Sequence, residues 1–214
     1  MRTIIRGTVL LVSVYLILLS AAAAQSGNGN KQTPVSVNLG VTYSAERAQI
    51  APGACNCFWL QGGTMDAAVT WRKGFGLVAS ISGEHASEVS PGVDVNKITF
   101  LGGERYTYNT WTKFAGSPKK RNVQLFGEWL FGDVHAFNGT FPTGAGVTSS
   151  ADAFAMQAGG GADIFFSKNF GVRVVQAEYL RTKLPNGYSD SQNDLRVGAG
   201  VVYHVTPFHF HKGK

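Results

Sequence analysis

Cysteine is almost absent from this chain: 214 residues contain only Cys55 and Cys57, separated by one asparagine. That scarcity excludes a disulfide-stapled scaffold, and a structural zinc site would need more ligands than the pair offers. A bridge between the two is geometrically tight, since the bond constrains the Cα separation. A small loop disulfide and two free thiols both remain open. Charged residues make up only 15% of the chain, which excludes a disordered polyelectrolyte. Beyond the first two dozen residues, no apolar run is long enough to cross a bilayer as a helix. There is no Gly-x-Ser-x-Gly element to present a nucleophile on a sharp turn. No motif implies a cofactor or a metal.

The N-terminus carries the first positive signal. Arg2 and Arg6 precede an apolar run from Gly7 to Leu19, followed by Ser20 and four alanines, Ala21 to Ala24. A basic start, an apolar core and a small-residue end describe a secretory signal cleaved after Ala24, so residues 1–24 are predicted to be a signal peptide. A polar linker is expected over 25–34. Export makes nucleic acid an unsuitable partner, although lysine and arginine outnumber aspartate and glutamate by 19 to 13.

From residue 35 onward the sequence alternates with period two. Val35, Val37, Leu39, Val41 and Tyr43 share one face, and Ser36, Asn38, Gly40, Thr42 and Ser44 the other. Because successive strand side chains point to opposite faces, such a segment is apolar on one side only. The division recurs around Met65–Trp71, Phe75–Ile81, Ile98–Tyr108, Val123–Phe131, Phe154–Ile164, Phe170–Arg181 and Leu195–Tyr203. Two irregularities stand out. Glu104 falls on the apolar face, and Arg173 and Glu178 can share a face only across a bulge. Eight segments, an even number, have lengths suited to tilted membrane-crossing strands.

The connections alternate too. Lys73-Gly74 and Ser167-Lys168-Asn169 are short; the stretches 45–63, 85–96, 136–151 and 183–193 read as long loops. The stretch from Asn109 to Arg121 is unexpectedly long for the short-turn end. One face is nearly pure Val, Leu, Ile, Ala and aromatic residues. The other holds Asp66, Arg72, Glu84, Arg105, Glu128, Asp163 and Arg196 among Gly, Ser and Thr. Small residues suit a narrow interior, and aromatics gather near segment ends as interfacial girdles do. The fold class predicted is therefore all-β: an eight-stranded antiparallel up-and-down transmembrane barrel over 35–205, with a C-terminal periplasmic tail at 206–214. The inverse arrangement, a soluble lipocalin-like barrel, is the weaker reading.

Three stretches carry a family resemblance: Val123 to His135 (VQLFGEWLFGDVH), Phe154 to Thr182, and Asn193 to Val205 (NDLRVGAGVVYHV). With them the chain resembles the OmpA/OmpX-like eight-stranded outer-membrane barrels of Gram-negative bacteria, in an acidobacterial-type form. The resemblance implies a place in the outer membrane and a role in adhesion or envelope integrity, without an assigned activity. Outer-membrane lipids and lipopolysaccharide, the barrel assembly machinery, and an extracellular ligand or the cell wall are the implied partners. The tail departs from the pattern by continuing past Val205 to His209, His211 and Lys214. No room is expected for a separate peptidoglycan-binding domain.

Chemistry is predicted to reside in the inward charges. Asp66, Glu84, Glu128 and Asp163 would be opposed by Arg72, Arg105, Arg173 and Arg196, because an unpaired buried charge costs several kcal/mol. Their expected role is a polar plug, with a small low-conductance pore as the alternative. His85 or His135 near the outer rim beside a serine is where a lipid-modifying enzyme would have to start. No catalytic residue is assigned there.

Overall fold

The computed structural model describes residues 35–49, 57–90, 92–114, 120–143, 146–187 and 190–205. The expected signal peptide, linker and C-terminal tail lie outside these residues, as does Cys55. Eight strands follow in chain order: β1 (Ser36–Gln49), β2 (Cys57–Thr70), β3 (Phe75–Ser90), β4 (Val93–Lys113), β5 (Lys120–Thr143), β6 (Gly146–Phe165), β7 (Phe170–Thr182) and β8 (Gln192–Val205). Each pairs antiparallel with the next, and β8 returns to β1 from Val37↔Val205 to Arg47↔Leu195, closing the barrel. Closure leaves no strand edge unpaired, which is what a sheet inside lipid requires.

Alternation then decides the faces. Arg173 and Arg196 are 0% and 2% exposed, whereas Tyr43, Met65 and Val201 stand 61%, 59% and 56% exposed. A barrel that buries arginine and presents apolar side chains has inverted the arrangement of a soluble barrel. Lipid is the solvent such an outer wall fits, so the inward face is the polar one. An arginine at Val41, half-way up the outer face of β1, is therefore expected to cost about 2–4 kcal/mol of folding stability in lipid vesicles. Urea titration in vesicles measures this; an unchanged midpoint would mean that Val41 faces water.

The short turns are built as the sequence suggests. Lys73 (φ 61°) and Gly74 (φ 90°) occupy the left-handed region in the three-residue turn Arg72–Gly74 between β2 and β3, which the Trp71 amide closes by donating to the Phe75 carbonyl at 2.9 Å. At the β6–β7 link, the Ser167 hydroxyl accepts from the Phe170 amide at 2.9 Å.

Strand lengths differ from expectation. The stretches 85–96 and 136–151 are mostly strand, for β3 runs to Ser90, β4 begins at Val93, β5 runs to Thr143 and β6 begins at Gly146. The stretch after Asn109 is also a strand extension, pairing through Lys113↔Lys120. In these extensions the inner face turns apolar, with Ala86, Ala136 and Phe141 buried, so the alternation of apolar outside and polar inside fades while backbone pairing continues. The phase slip in β7 is a bulge: Arg173 pairs with Gly200 and Gln176 with Gly198, so Val174 and Val175 face the single residue Ala199. Both valines point outward, at 45% and 47% exposure. The extra residue returns Gln176 and Glu178 to the inner face alongside Arg173.

Candidate functional site

Two arginines organise the lower half of the interior. Arg173 donates from Nε and Nη2 to the two oxygens of Asp163, at 2.9 and 3.3 Å. Its Nη1 donates to Asp66 Oδ1 at 2.6 Å and to Gln176 Oε1 at 2.9 Å. Arg105 meets the second Asp66 oxygen at 2.9 Å and donates from Nε to Glu128 Oε2 at 2.7 Å. Asp66 is thus shared by two guanidinium groups. Phe126 packs against both, its ring centroid 4.4 Å from Arg105 Cζ and 4.6 Å from Arg173 Cζ. A desolvated guanidinium over a ring face is a favourable cation–π contact, so the phenyl attracts both charges. Gly40 makes room for the arrangement, because a Cβ there would lie 2.4 Å from Asp66 Oδ1.

Arg196 organises the upper half. It lies 3.3 Å from Glu84, 3.4 Å from Glu46 and 3.6 Å from Glu178. Lys97 bonds to Glu46 and lies 4.0 Å from Asp194. Gln157 couples the two halves by donating to Glu178 Oε1 at 2.8 Å and to Glu128 Oε1 at 3.5 Å. Toward the short-turn end the interior turns neutral. There Asn38 donates to Gln124 at 2.7 Å, and Gln124 to Asn109 at 3.0 Å.

Seven of the eight expected network residues, Asp66, Glu84, Arg105, Glu128, Asp163, Arg173 and Arg196, are buried in these contacts. Arg72 is different: it stands in the turn Arg72–Gly74, beyond the end of β2 at Thr70, and its side chain lies outside the described residues. Four more charges belong to the interior: Glu46, Lys97, Glu178 and Asp194. Glu46 was expected in a loop. Its parity with Ser44 was the available signal, hidden because the apolar half of the alternation ends at Tyr43. Glu104 stands exposed on the outer wall, lining a cleft with Phe75, Tyr106 and Trp129. Cys57 is a free thiol whose Sγ receives a hydrogen bond from Arg47 at 3.6 Å; its candidate partner Cys55 is not among the described residues.

No protein-family model and no curated protein matches the chain in sequence. Solved structures do match in shape. Neisserial surface protein A superposes with a TM-score of 0.51 at 12% identity, covering 81% of this chain and 97% of that one. Ail, the attachment invasion locus protein of Yersinia pestis, gives 0.47 at 16% identity over 82% of this chain and all (100%) of its own. The N-terminal β-barrel domain of Pseudomonas aeruginosa OprF gives 0.42 at 16% identity over 81% of this chain and 100% of its own. The fold is that of the eight-stranded outer-membrane barrels. An apolar outer wall around a polar interior gives this chain the architecture in which such barrels sit in lipid.

Proposed function

We propose that this outer-membrane barrel serves a structural and surface-interaction role in the cell envelope, its lumen filled by ionic and amide side chains rather than kept open for transport. The observation that supports this reading is the continuous bonded chain from Asp163 through Arg173, Asp66, Arg105, Glu128 and Gln157 to Glu178 and Arg196. An ion crossing the lumen would have to break contacts that hold buried charges, each costing several kcal/mol to leave unpaired. The functional surfaces are then the ends and the wall. Lipid and lipopolysaccharide cover the wall, the assembly machinery engages the strands during insertion, and the outer hairpins meet an extracellular ligand.

At the short-turn end Lys73, Lys113, Lys120 and Lys168 are exposed, and Arg121 lies over the Phe166 ring with its Cζ 5.2 Å from the centroid. Such a basic rim suits anionic head groups or the cell wall. Attribution to an acidobacterial type belongs to this proposal as well. Planar-bilayer recording tests the central point. Purified full-length protein in molar KCl is expected to give no unitary current steps. Steps that recur with every insertion would replace the plugged barrel with a small pore.

A further inference from the structure

On the outer wall, near the end that carries the long hairpins, three polar side chains form a relay that the interior network does not use. The Ser87 hydroxyl lies 3.0 Å from His85 Nε2, and His85 Nδ1 lies 2.9 Å from Asn96 Oδ1. An amide oxygen can only accept, so Nδ1 carries the imidazole proton and donates it to Asn96. Nε2 is then left as a lone-pair base facing Ser87, which donates to it. Nucleophile, base and orienter within hydrogen-bond reach are the parts of an acyl-transfer triad, which is recognised by geometry and role rather than by sequence motif.

The surroundings fit that chemistry. His85 is in register with Gln61 on β2 and with Asn96 on β4, so the three lie in one row across the outer face. The Gln61 amide oxygen accepts from the Tyr43 hydroxyl at 2.8 Å, leaving its N–H groups as the donors this row offers to a developing oxyanion. Ser87 comes directly after the last regular β3–β4 pair, Ala86↔Val95, where the register shifts before Ser90↔Val93. Irregular pairing of this kind re-aims side chains and is common beside active sites. One outward position below His85, Gly83 leaves open space, with no atom within 4 Å of where a Cβ would be. Below it Ile81 and Phe100, 42% and 40% exposed, continue the apolar wall.

Height selects the substrate. Twelve residues of strand separate Phe75, at the lower girdle, from Ser87. At about 3.3 Å per residue and a tilt of roughly 40°, that is about 30 Å along the barrel axis, against an apolar band of about 25 Å. Ser87 therefore sits just above the hydrocarbon edge, at the depth of the ester groups that join acyl chains to lipid head groups.

We infer that Ser87, His85 and Asn96 form a lipid-ester hydrolase site on the outer wall of the barrel, a function beyond the structural role proposed above. Ser87 Oγ attacks the ester carbonyl while its proton passes to His85 Nε2. The carbonyl carbon–alkoxy oxygen bond breaks, and the departing alkoxy oxygen takes that proton, leaving an acyl-serine. Water then adds to the acyl carbon with His85 again accepting the proton. The fatty acid leaves and Ser87 recovers its hydrogen. Asn96 is a positioning residue, holding the imidazole tautomer without touching the ester.

The test uses the full-length protein in detergent micelles, with the heat-dependent gel shift reporting folding of every variant. Two substrates, a diacyl glycerophospholipid and purified lipopolysaccharide, are each presented in mixed micelles, and released fatty acids are quantified by mass spectrometry. Release from either supports the site, and the identity of the released acid tells which lipid is the source. Ser87→Ala and His85→Ala are expected to lose release by about 10³-fold or more, and Asn96→Ala by roughly 10²-fold, with Asn96→Asp restoring it. His135→Ala, outside the relay, should leave it unchanged. A fluorophosphonate should label Ser87 and no other residue. Folded protein that releases no fatty acid from either lipid and takes no label at Ser87 overturns the assignment, as does activity that survives Ser87→Ala.

Discussion

Replacing Arg173 with methionine is expected to lower the barrel's folding stability by about 3–5 kcal/mol, enough to abolish the heat-sensitive folded band under mildly denaturing conditions. The side chain is fully buried and makes two bonds to Asp163, one to Asp66 and one to Gln176. Methionine would fill much of the volume and leave Asp163 without its guanidinium partner. Asp66 would keep only Arg105, which is also held by Glu128. The cost arises from the stranded carboxylate more than from the lost pair, because a charge removed from water must be compensated where it ends up. A triple variant adding Asp163→Asn and Asp66→Asn should therefore recover much of the loss, although it restores no ion pair. Urea midpoints in detergent measure all three proteins. If Arg173→Met unfolds at the wild-type midpoint, the interior charges are not mutually dependent and the plug has no energetic basis.

The partner identities behind that prediction were not readable from the residues in order. Alternation assigned Asp66, Arg105, Glu128, Asp163 and Arg196 to one face, and period-two geometry makes such an assignment insensitive to small errors in strand ends. Which acid meets which base depends on the stagger of the strands around the closed barrel. Asp66 and Arg173 are 107 positions apart and on strands that are not neighbours. The bulge at Val174–Val175 was legible because two charges of one network could not otherwise share a face. Glu46 and Lys97 were missed for the opposite reason: they lie where β1 and β4 leave the apolar belt, and hydropathy no longer marks the strand. The Ser87–His85–Asn96 relay lies in that same zone. A loop reading of 85–96 separates His85 from Asn96, whereas their direct pairing across β3 and β4 brings them together.

Two adjacent glycines of β4 give the other large effect, because they point to opposite sides of the same strand. A Cβ on Gly103 would lie 2.1 Å from the Trp129 carbonyl oxygen and 2.9 Å from Leu130 Cα, both backbone atoms of β5. A Cβ on Gly102 would find nothing closer than the Val78 carbonyl oxygen at 3.8 Å. In a barrel this narrow the strands coil tightly, and the inner face is where a neighbouring backbone comes close enough to exclude even a methyl group. The conflict at 103 cannot be relieved by rotating a side chain; it requires β4 and β5 to separate and lose ladder hydrogen bonds. Gly103→Val is accordingly expected to cost more than about 3 kcal/mol, at the upper end of overpacking effects, and to leave the protein without a folded band. Gly102→Val places the same isopropyl group against lipid and should keep the wild-type midpoint or raise it, since valine favours the extended backbone and adds apolar wall. Expression, refolding and gel mobility of the two variants side by side decide the matter. Equal behaviour would mean that the inner and outer faces of β4 are not as distinct as the charge pairing on that strand requires.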